Sequence, residues 1–281
     1  MTEQNQNALN ADYEAKMTLK YAGQIKDGNL EIGDWLSADP EVTNLRFLEK
    51  FNIQTLELYV SREMNVKLRN NTLKKLTVCN SMNEDEEQKQ RLNMYIDDLE
   101  LENLEVLILQ HDFLDLRNSL ENDQLHNLAK FKKVHSLDVS KNQVDLTHIH
   151  SVTSLTKLFM RDCGLINTDL ISSLVNLKEL NLSVNTSIDL SPLYKIDSLT
   201  ILSLNKCRLK NIDQIAQLTN LEVLIIQDNQ LQTFDSIRLL VNLKELDISS
   251  NNKIDIASLK DLVSYFKISY QFTNLRPFIQ F

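Results

Sequence analysis

The sequence predicts an α/β solenoid: a curved right-handed superhelix with a parallel β-sheet on its concave face and short 3₁₀ or helical turns on its convex face. Three observations lead to this fold class. One hydrophobic pattern recurs in a fixed register along most of the chain. Its first half alternates as a strand does, and its second half has a period of three. Self-similarity at periods of about 20–50 residues is the signature of stacked repeat architectures.

The repeat is clearest in LEVLILQHDFL from Leu104 and LEVLIIQDNQL from Leu221, which share seven of eleven letters. Apolar residues occupy positions 1, 4, 6 and 11 when the first leucine is position 1. From Leu155 onward each copy begins 22 residues after the last. The copies begin at Ile53, Leu73, Leu104, Val134, Leu155, Leu177, Leu199, Leu221, Leu243 and Tyr265.

Segments such as LTKLFMRDCGL, LTILSLNKCRL and LKELDISSNNKI follow the pattern LxxLxLxx(N/C)xL, and so resemble leucine-rich repeats. Their length resembles the 22-residue subclass of bacterial internalins and of the regulatory leucine-rich-repeat subunit of protein phosphatase-1. The opening of the chain resembles leucine-rich-repeat proteins of protists. The resemblance covers residues 45–270 and implies a fold more than a function, because this fold serves many partners.

Each half of a repeat predicts one structural element. Positions 3 to 7 form a short strand with positions 4 and 6 inside and 3, 5 and 7 outside. At position 9 an asparagine amide bonds exposed backbone groups, and the resemblance implies that Cys163 and Cys207 replace asparagine there. These two cysteines lie two strands apart, about 10 Å, which is too far for a disulfide. Apolar residues three apart from Leu209 to Leu221 favour 3₁₀ turns over α-helices.

One structural domain is predicted, because a solenoid must cover both ends of its core. Residues 1–44 form an N-terminal helix and strand cap, with a stripe of Tyr13, Met17, Tyr21 and Ile25 before a strand that carries Trp35. Residues 45–264 form the repeats. Residues 265–281 form an aromatic C-terminal cap, and the alternative is an aromatic motif for a partner.

Two repeats, within residues 73–133, are longer than the rest. The first insertion, within residues 83–100, opens with the acidic run Glu84 to Glu87, and the second predicts a short helix through Leu116, Leu120 and Leu128. The insertions are read as longer convex helices. The alternative is that the acidic one docks a basic partner.

Composition excludes several functions. Four glycines and three prolines leave no material for glycine-rich phosphate loops, and the net charge of −9 argues against a nucleic-acid partner. No apolar run reaches transmembrane length and no secretory leader opens the chain, so we expect no membrane association. Three cysteines make no even disulfide framework, which favours a reducing cytoplasm.

No catalytic, metal or cofactor site is predicted. His148 and His150 would share one face of a strand, but no further ligand has a dictated place beside them. No nucleophile has a specified base, so the chain is predicted not to be an enzyme.

The predicted functional site lies on the concave face. Phe159 is an outward aromatic between Lys157 and Arg161, the composition of an interface anchor. Ile201, Val223 and Ile225 would form an apolar patch on adjacent strands. Asp138 and Ile108 join the site through the same outward column at position 5. The alternative is that the β-branched residues are there for strand propensity alone.

The sequence therefore predicts a non-enzymatic scaffold that binds a protein or peptide on its concave face without a cofactor. We expect a monomer, since both ends of the core have caps. The alternative, implied by the resemblance, is a regulatory or targeting subunit of an enzyme such as a protein phosphatase. A secreted adhesin of the internalin type conflicts with the missing leader.

Overall fold

A computed structural model describes residue 17 and residues 21–32, 45–60, 68–80, 99–110, 127–142 and 146–251. The chain divides into two compact units, Met1–Ser154 and Leu155–Phe281, called here the N-terminal and C-terminal units. Both units contain parallel strands. The predicted boundaries of caps and repeats stay predictions.

Parallel strands in sequence order form the main sheet of the N-terminal unit, and two short strands pair separately beside it. The main strands are β1 (Asn29–Ile32), β2 (Thr55–Val60), β4 (Lys75–Asn80), β6 (Val106–Gln110) and β7 (Ser136–Asp138); the short pair is β3 (Leu68–Arg69) and β5 (Leu99–Glu100). Met17, Tyr21 and Ala22 are α-helical, and further helical segments are the 3₁₀ helices Leu45–Lys50 and Leu128–Lys130 and the α-helical turn Leu146–Ile149.

Three-residue parallel strands recur through the C-terminal unit. A 3₁₀ helix follows each of the first four. The strands are β8 (Lys157–Phe159), β9 (Glu179–Asn181), β10 (Ile201–Ser203), β11 (Val223–Ile225) and β12 (Glu245–Asp247). The 3₁₀ helices are Ile171–Ser173, Ser191–Lys195, Asp213–Gln217 and Asp235–Leu239. Paired residues are 22 apart, as Ile201 and Val223 are, which confirms the predicted register.

In the C-terminal unit the residues at positions 1, 4 and 6 belong to the buried core, together with apolar residues of the turns. In β10 and the turn after it, Leu202 and Leu204 are buried while Ile201 and Ser203 are partly exposed. Strand alternation sends every second side chain to the same face, which explains why Leu202 and Leu204 are buried together. The confirmed fold class is thus that of a leucine-rich-repeat solenoid.

The period of three also holds in the turns. Backbone N–H groups of Ile215, Leu218 and Leu221 each donate to the carbonyl three residues earlier, at 2.8–3.0 Å. All three side chains are buried. Because residues three apart eclipse one another in a 3₁₀ turn, one apolar residue in three covers the core. Between Leu45 and Asn251, no α-helix in the described ranges is longer than the four-residue turn at Leu146–Ile149.

A left-handed backbone occurs at position 8, after the strand, in the repeats that begin at Val134 and beyond. Its φ lies between 57° and 69° in six successive repeats although none has glycine there. The residues are Lys141, Asp162, Val184, Lys206, Asp228 and Ser250. This conformation costs a non-glycine residue about 1 kcal/mol. In four of these repeats an asparagine at position 9 follows, and its buried hydrogen bonds offset that cost.

Asparagine side chains at position 9 join neighbouring turns. Asn229 accepts the backbone N–H of Cys207 at 3.1 Å and of Leu209 at 3.0 Å, both in the preceding turn. Its Nδ2 donates to the carbonyls of Leu204 and Ile226 at 2.8 Å. Asn185 and Asn251 repeat the arrangement. Each asparagine therefore satisfies the backbone of two turns at once.

The predicted N-terminal cap is described in part. Met17 and Tyr21 are buried, and the Tyr21 ring stacks on Phe47 with centroids 5.5 Å apart. Tyr13, Trp35, the acidic run at Glu84 to Glu87, the leucines at 116 and 120, and the aromatic segment 265–281 lie outside the described residues. In the part of the chain that is described, no helix has the length and apolarity to cross a membrane.

Candidate functional site

The outward face of the C-terminal unit holds most of the predicted site. It is called the strand face here and consists of positions 3 and 5 of β8 to β12. In β8 Lys157 is exposed and Phe159 is partly exposed, while Leu158 between them is fully buried. Arg161, two residues after Phe159, is exposed. The predicted outward orientation of Phe159 is therefore present in the structure.

Three aliphatic side chains adjoin one another on this face. Ile201 of β10 pairs in register with Val223 of β11, and Ile225 follows two residues along β11. All three are partly exposed, whereas Leu202 and Leu224 beneath them are buried. Paired residues on neighbouring strands lie about 4.8 Å apart, close enough for their side chains to touch. Ile201, Val223 and Ile225 are called the apolar cluster below.

Phe159 does not join the apolar cluster. Its register neighbours across the sheet are Asn181, Ser203 and then Ile225. Three strand steps, about 14 Å, therefore separate Phe159 from Ile225. A partner would meet two separate anchors on one face, not one continuous patch.

Lys157 is engaged within the face. Its Nζ lies 2.6 Å from Oε2 of Glu179 on the neighbouring strand. The lysine is about half exposed, so water screens the pair and its contribution is at most about 1 kcal/mol. Glu179, which was not assigned to the site, thus lowers the positive charge expected beside Phe159.

Polar outward side chains serve the backbone in several repeats. The carboxylate of Asp138 accepts the backbone N–H of Ser140 at 2.9 Å. Asp247 does the same for Ser249, and Asn181 for Ser183. Asp138 therefore has a structural role at the end of β7 besides the binding role predicted for it. The apolar side chains at these positions have no such role in hydrogen bonding.

Ile108 lies on the N-terminal unit, partly exposed in β6 between Thr77 and Asp138 in register. Val106, two residues earlier, is equally placed but was not assigned to the site. The sequence could have identified Val106, because it occupies position 3 just as Ile201 does.

On β2, the Tyr59 hydroxyl donates to Glu57 at 2.5 Å, and this bond is the main cause that raises the pKa of Tyr59 above its usual value.

The prediction that positions 5 and 7 all face solvent is wrong in part. Thr77 at position 5, and Cys79, Ser183 and Ser249 at position 7, are buried. Ser183 and Ser249 directly precede the left-handed residues Val184 and Ser250, where the chain turns away from the strand. The Ser183 hydroxyl accepts the backbone N–H of Asn205 at 3.1 Å.

The cysteines of position 9, Cys163 and Cys207, are buried. The Cys207 thiol donates weakly to the carbonyl of Leu182 at 3.4 Å, as an asparagine amide does elsewhere in this column. Burial raises the pKa of this thiol above its usual value, although nearby backbone hydrogen bonds and Arg161 act in the opposite direction. A buried protonated thiol is a poor nucleophile and metal ligand.

The histidine pair sits in a different element from the strand assumed for it. His148 belongs to the α-helical turn Leu146–Ile149 and His150 follows that turn. Within the described ranges, no group of three His, Cys, Asp or Glu side chains is placed to hold a metal ion.

Comparisons with known proteins agree with this architecture. A family model described as "Leucine Rich repeats (2 copies)" matches residues 219–261. No curated protein matches the chain. An internalin (inlF) of Listeria monocytogenes str. 4b F2365 is similar at 22% identity with a TM-score of 0.59, covering 86% of this chain and 67% of that one. Internalin C2 from the same strain matches at 25% identity and a TM-score of 0.48, covering 60% of this chain and 72% of that one.

None of these matches names a phosphatase subunit, so the regulatory alternative still rests on the sequence resemblance. The protist resemblance and the 22-residue subclass likewise stay predictions. The chain contains leucine-rich repeats and shares the fold of the internalin inlF structure.

Proposed function

We propose that the chain is a non-enzymatic scaffold that binds a protein partner on the strand face of its C-terminal unit. The observation that carries the proposal is the apolar cluster. Ile201, Val223 and Ile225 are partly exposed on adjacent strands, while Leu202 and Leu224 between them in sequence are buried. Leucine-rich repeats typically bind proteins, which supports the same conclusion.

Energetics favour a rigid face of this kind. Burying an exposed aliphatic side chain contributes about 1.5–3 kcal/mol, so the apolar cluster would contribute several kcal/mol to a complex. The strands are fixed by hydrogen bonds to both neighbours, as at Glu222 N–H to Thr200 O at 2.8 Å and Lys244 N–H to Glu222 O at 2.7 Å. Little backbone entropy is therefore lost on binding.

Phe159 and Arg161 form a second anchor on the same face under this proposal. Aromatic and arginine side chains are the residue types that most often dominate interface energetics. Action in the cytoplasm as a monomer stays a prediction of the sequence.

The test begins with affinity purification and mass spectrometry to identify a partner, followed by titration of the purified partner. The triple variant Ile201→Thr/Val223→Thr/Ile225→Thr removes the apolar cluster but keeps β-branched side chains. Val241→Thr is the matched control, because Val241 is 70% exposed and lies outside the strands.

We expect the control to bind as the original chain does and the triple variant to bind at least tenfold more weakly, a loss of about 1.4 kcal/mol. A triple variant that binds with unchanged affinity would exclude the strand face as the site. Phe159→Ala/Arg161→Ala then tests the second anchor in the same titration.

A further inference from the structure

The charges around the apolar cluster are unevenly distributed along the strand face. Beside β11 lies β12, where Glu245 pairs with Val223 and Asp247 pairs with Ile225 in register. Glu245 is exposed and Asp247 is partly exposed. The apolar cluster therefore ends directly against two carboxylates.

Other acidic residues near the apolar cluster have cationic partners. Glu179 is bridged by Lys157 at 2.6 Å, and Glu222 by Lys244 at 2.8 Å. In the described part of the chain, neither Glu245 nor Asp247 has a cation within ion-pair distance. One oxygen of Asp247 accepts the Ser249 N–H at 2.9 Å, which leaves the other for a ligand.

We infer that the partner presents an aliphatic or aromatic side chain on the apolar cluster and a lysine or arginine beside it, bound by Asp247 and Glu245. The inference rests on the proposed function and specifies the chemistry of its partner. It depends on how close the apolar cluster lies to the two carboxylates, because one strand step of about 4.8 Å separates them. Neighbouring or alternate residues of one extended segment span that distance.

Charge complementarity favours this occupant over a purely apolar one. An apolar segment that covered the cluster would press against two carboxylates and remove water from them without compensation, which costs free energy. A basic residue at the same place gives them a partner, and arginine can bind a carboxylate with two parallel hydrogen bonds. The net charge of −9 attracts basic partners over longer distances as well.

The experiment selects random dodecapeptides displayed on phage against the full chain. Three variants are selected in parallel: Glu245→Lys/Asp247→Lys, the triple threonine variant of the apolar cluster, and Val241→Thr as control. All substituted side chains are exposed or partly exposed, and unchanged urea midpoints establish that each variant folds.

We expect peptides selected on the original chain to carry lysine or arginine within three residues of an aliphatic or aromatic residue. The charge-reversed variant should bind those peptides roughly tenfold more weakly and select acidic peptides in their place, and added salt should weaken the original complexes. The triple threonine variant should lose them.

Selected peptides that need the apolar cluster but show no basic preference, and that bind the charge-reversed variant equally, would overturn the inference and leave the proposed function standing. Peptides indifferent to both variants would contradict both. Failure to select any peptide would overturn the inference alone, since a folded partner identified by purification tests the proposed function separately.

Discussion

Replacing Asn229 with alanine tests whether position 9 holds neighbouring turns together. Asn229 is buried, and its side chain makes four short bonds to backbone groups: two accepted from Cys207 and Leu209, and two donated to Leu204 and Ile226. Alanine at 229 would leave all four backbone groups without that partner inside the C-terminal unit.

The expected cost follows from that count. A typical hydrogen bond contributes about 1 kcal/mol net, and an unsatisfied buried group costs about 1–3 kcal/mol. Asn229→Ala should therefore lower the free energy of unfolding by about 4 kcal/mol. Cys207→Ala is the matched control in the same column. The Cys207 thiol has only weak donor contacts, at 3.4 and 3.5 Å, and its loss should cost about 1 kcal/mol.

Urea unfolding followed by circular dichroism measures the cost, and amide hydrogen exchange locates it. In Asn229→Ala the amides of Cys207 and Leu209 should lose protection, because Asn229 is their acceptor. In Cys207→Ala the acceptor is intact, so the amides at 207 and 209 should stay protected. Equal destabilisation by the two variants, or unchanged protection in Asn229→Ala, would refute the assigned role.

Three further outcomes are expected. Gly164 has φ +65° in open space, so Gly164→Ala should cost about 1 kcal/mol through backbone strain alone and Gly164→Asn less, as measured by thermal melting. Because burial raises the pKa of Cys207, the free energy of unfolding should be highest below the pKa of the thiol in the unfolded chain, about 8.5, and should fall as pH rises toward the pKa in the folded chain. Ellman's reagent should react slowly with the folded chain. The Ser191 hydroxyl, and next its N–H, lower the pKa of Asp189, so Ser191→Ala should raise that pKa in an NMR titration.

The repeat pattern predicted the parts of the fold that depend on hydrophobic burial. Leu202 and Leu224 are buried because the strand alternates, and Ile212, Ile215 and Leu218 are buried because the turn has a period of three. The left-handed backbone at position 8 was not predicted. No glycine marks it, since Asp162, Val184 and Lys206 all adopt φ near 60°.

The site was predicted less completely, for a related reason. Position and outward direction follow from the register, so Phe159, Ile201 and Ile225 were placed correctly. Pairing among outward side chains does not follow from the register. The bond from Nζ of Lys157 to Glu179 and the bond from the Ser140 N–H to Asp138 emerge only from three-dimensional geometry. Both reduce the charge available to a partner.

Strand propensity remains the rival explanation for the apolar cluster, and the triple variant Ile201→Thr/Val223→Thr/Ile225→Thr separates the two. Threonine is also β-branched and favours strands, and exposed substitutions usually change stability by about 0.5 kcal/mol or less each, so we expect a total loss below about 1.5 kcal/mol. Urea unfolding measures it against Val241→Thr. A loss near the 4 kcal/mol expected for Asn229→Ala would place these side chains in the packing of the unit. A small loss would leave partner binding as the reason why aliphatic side chains meet water there.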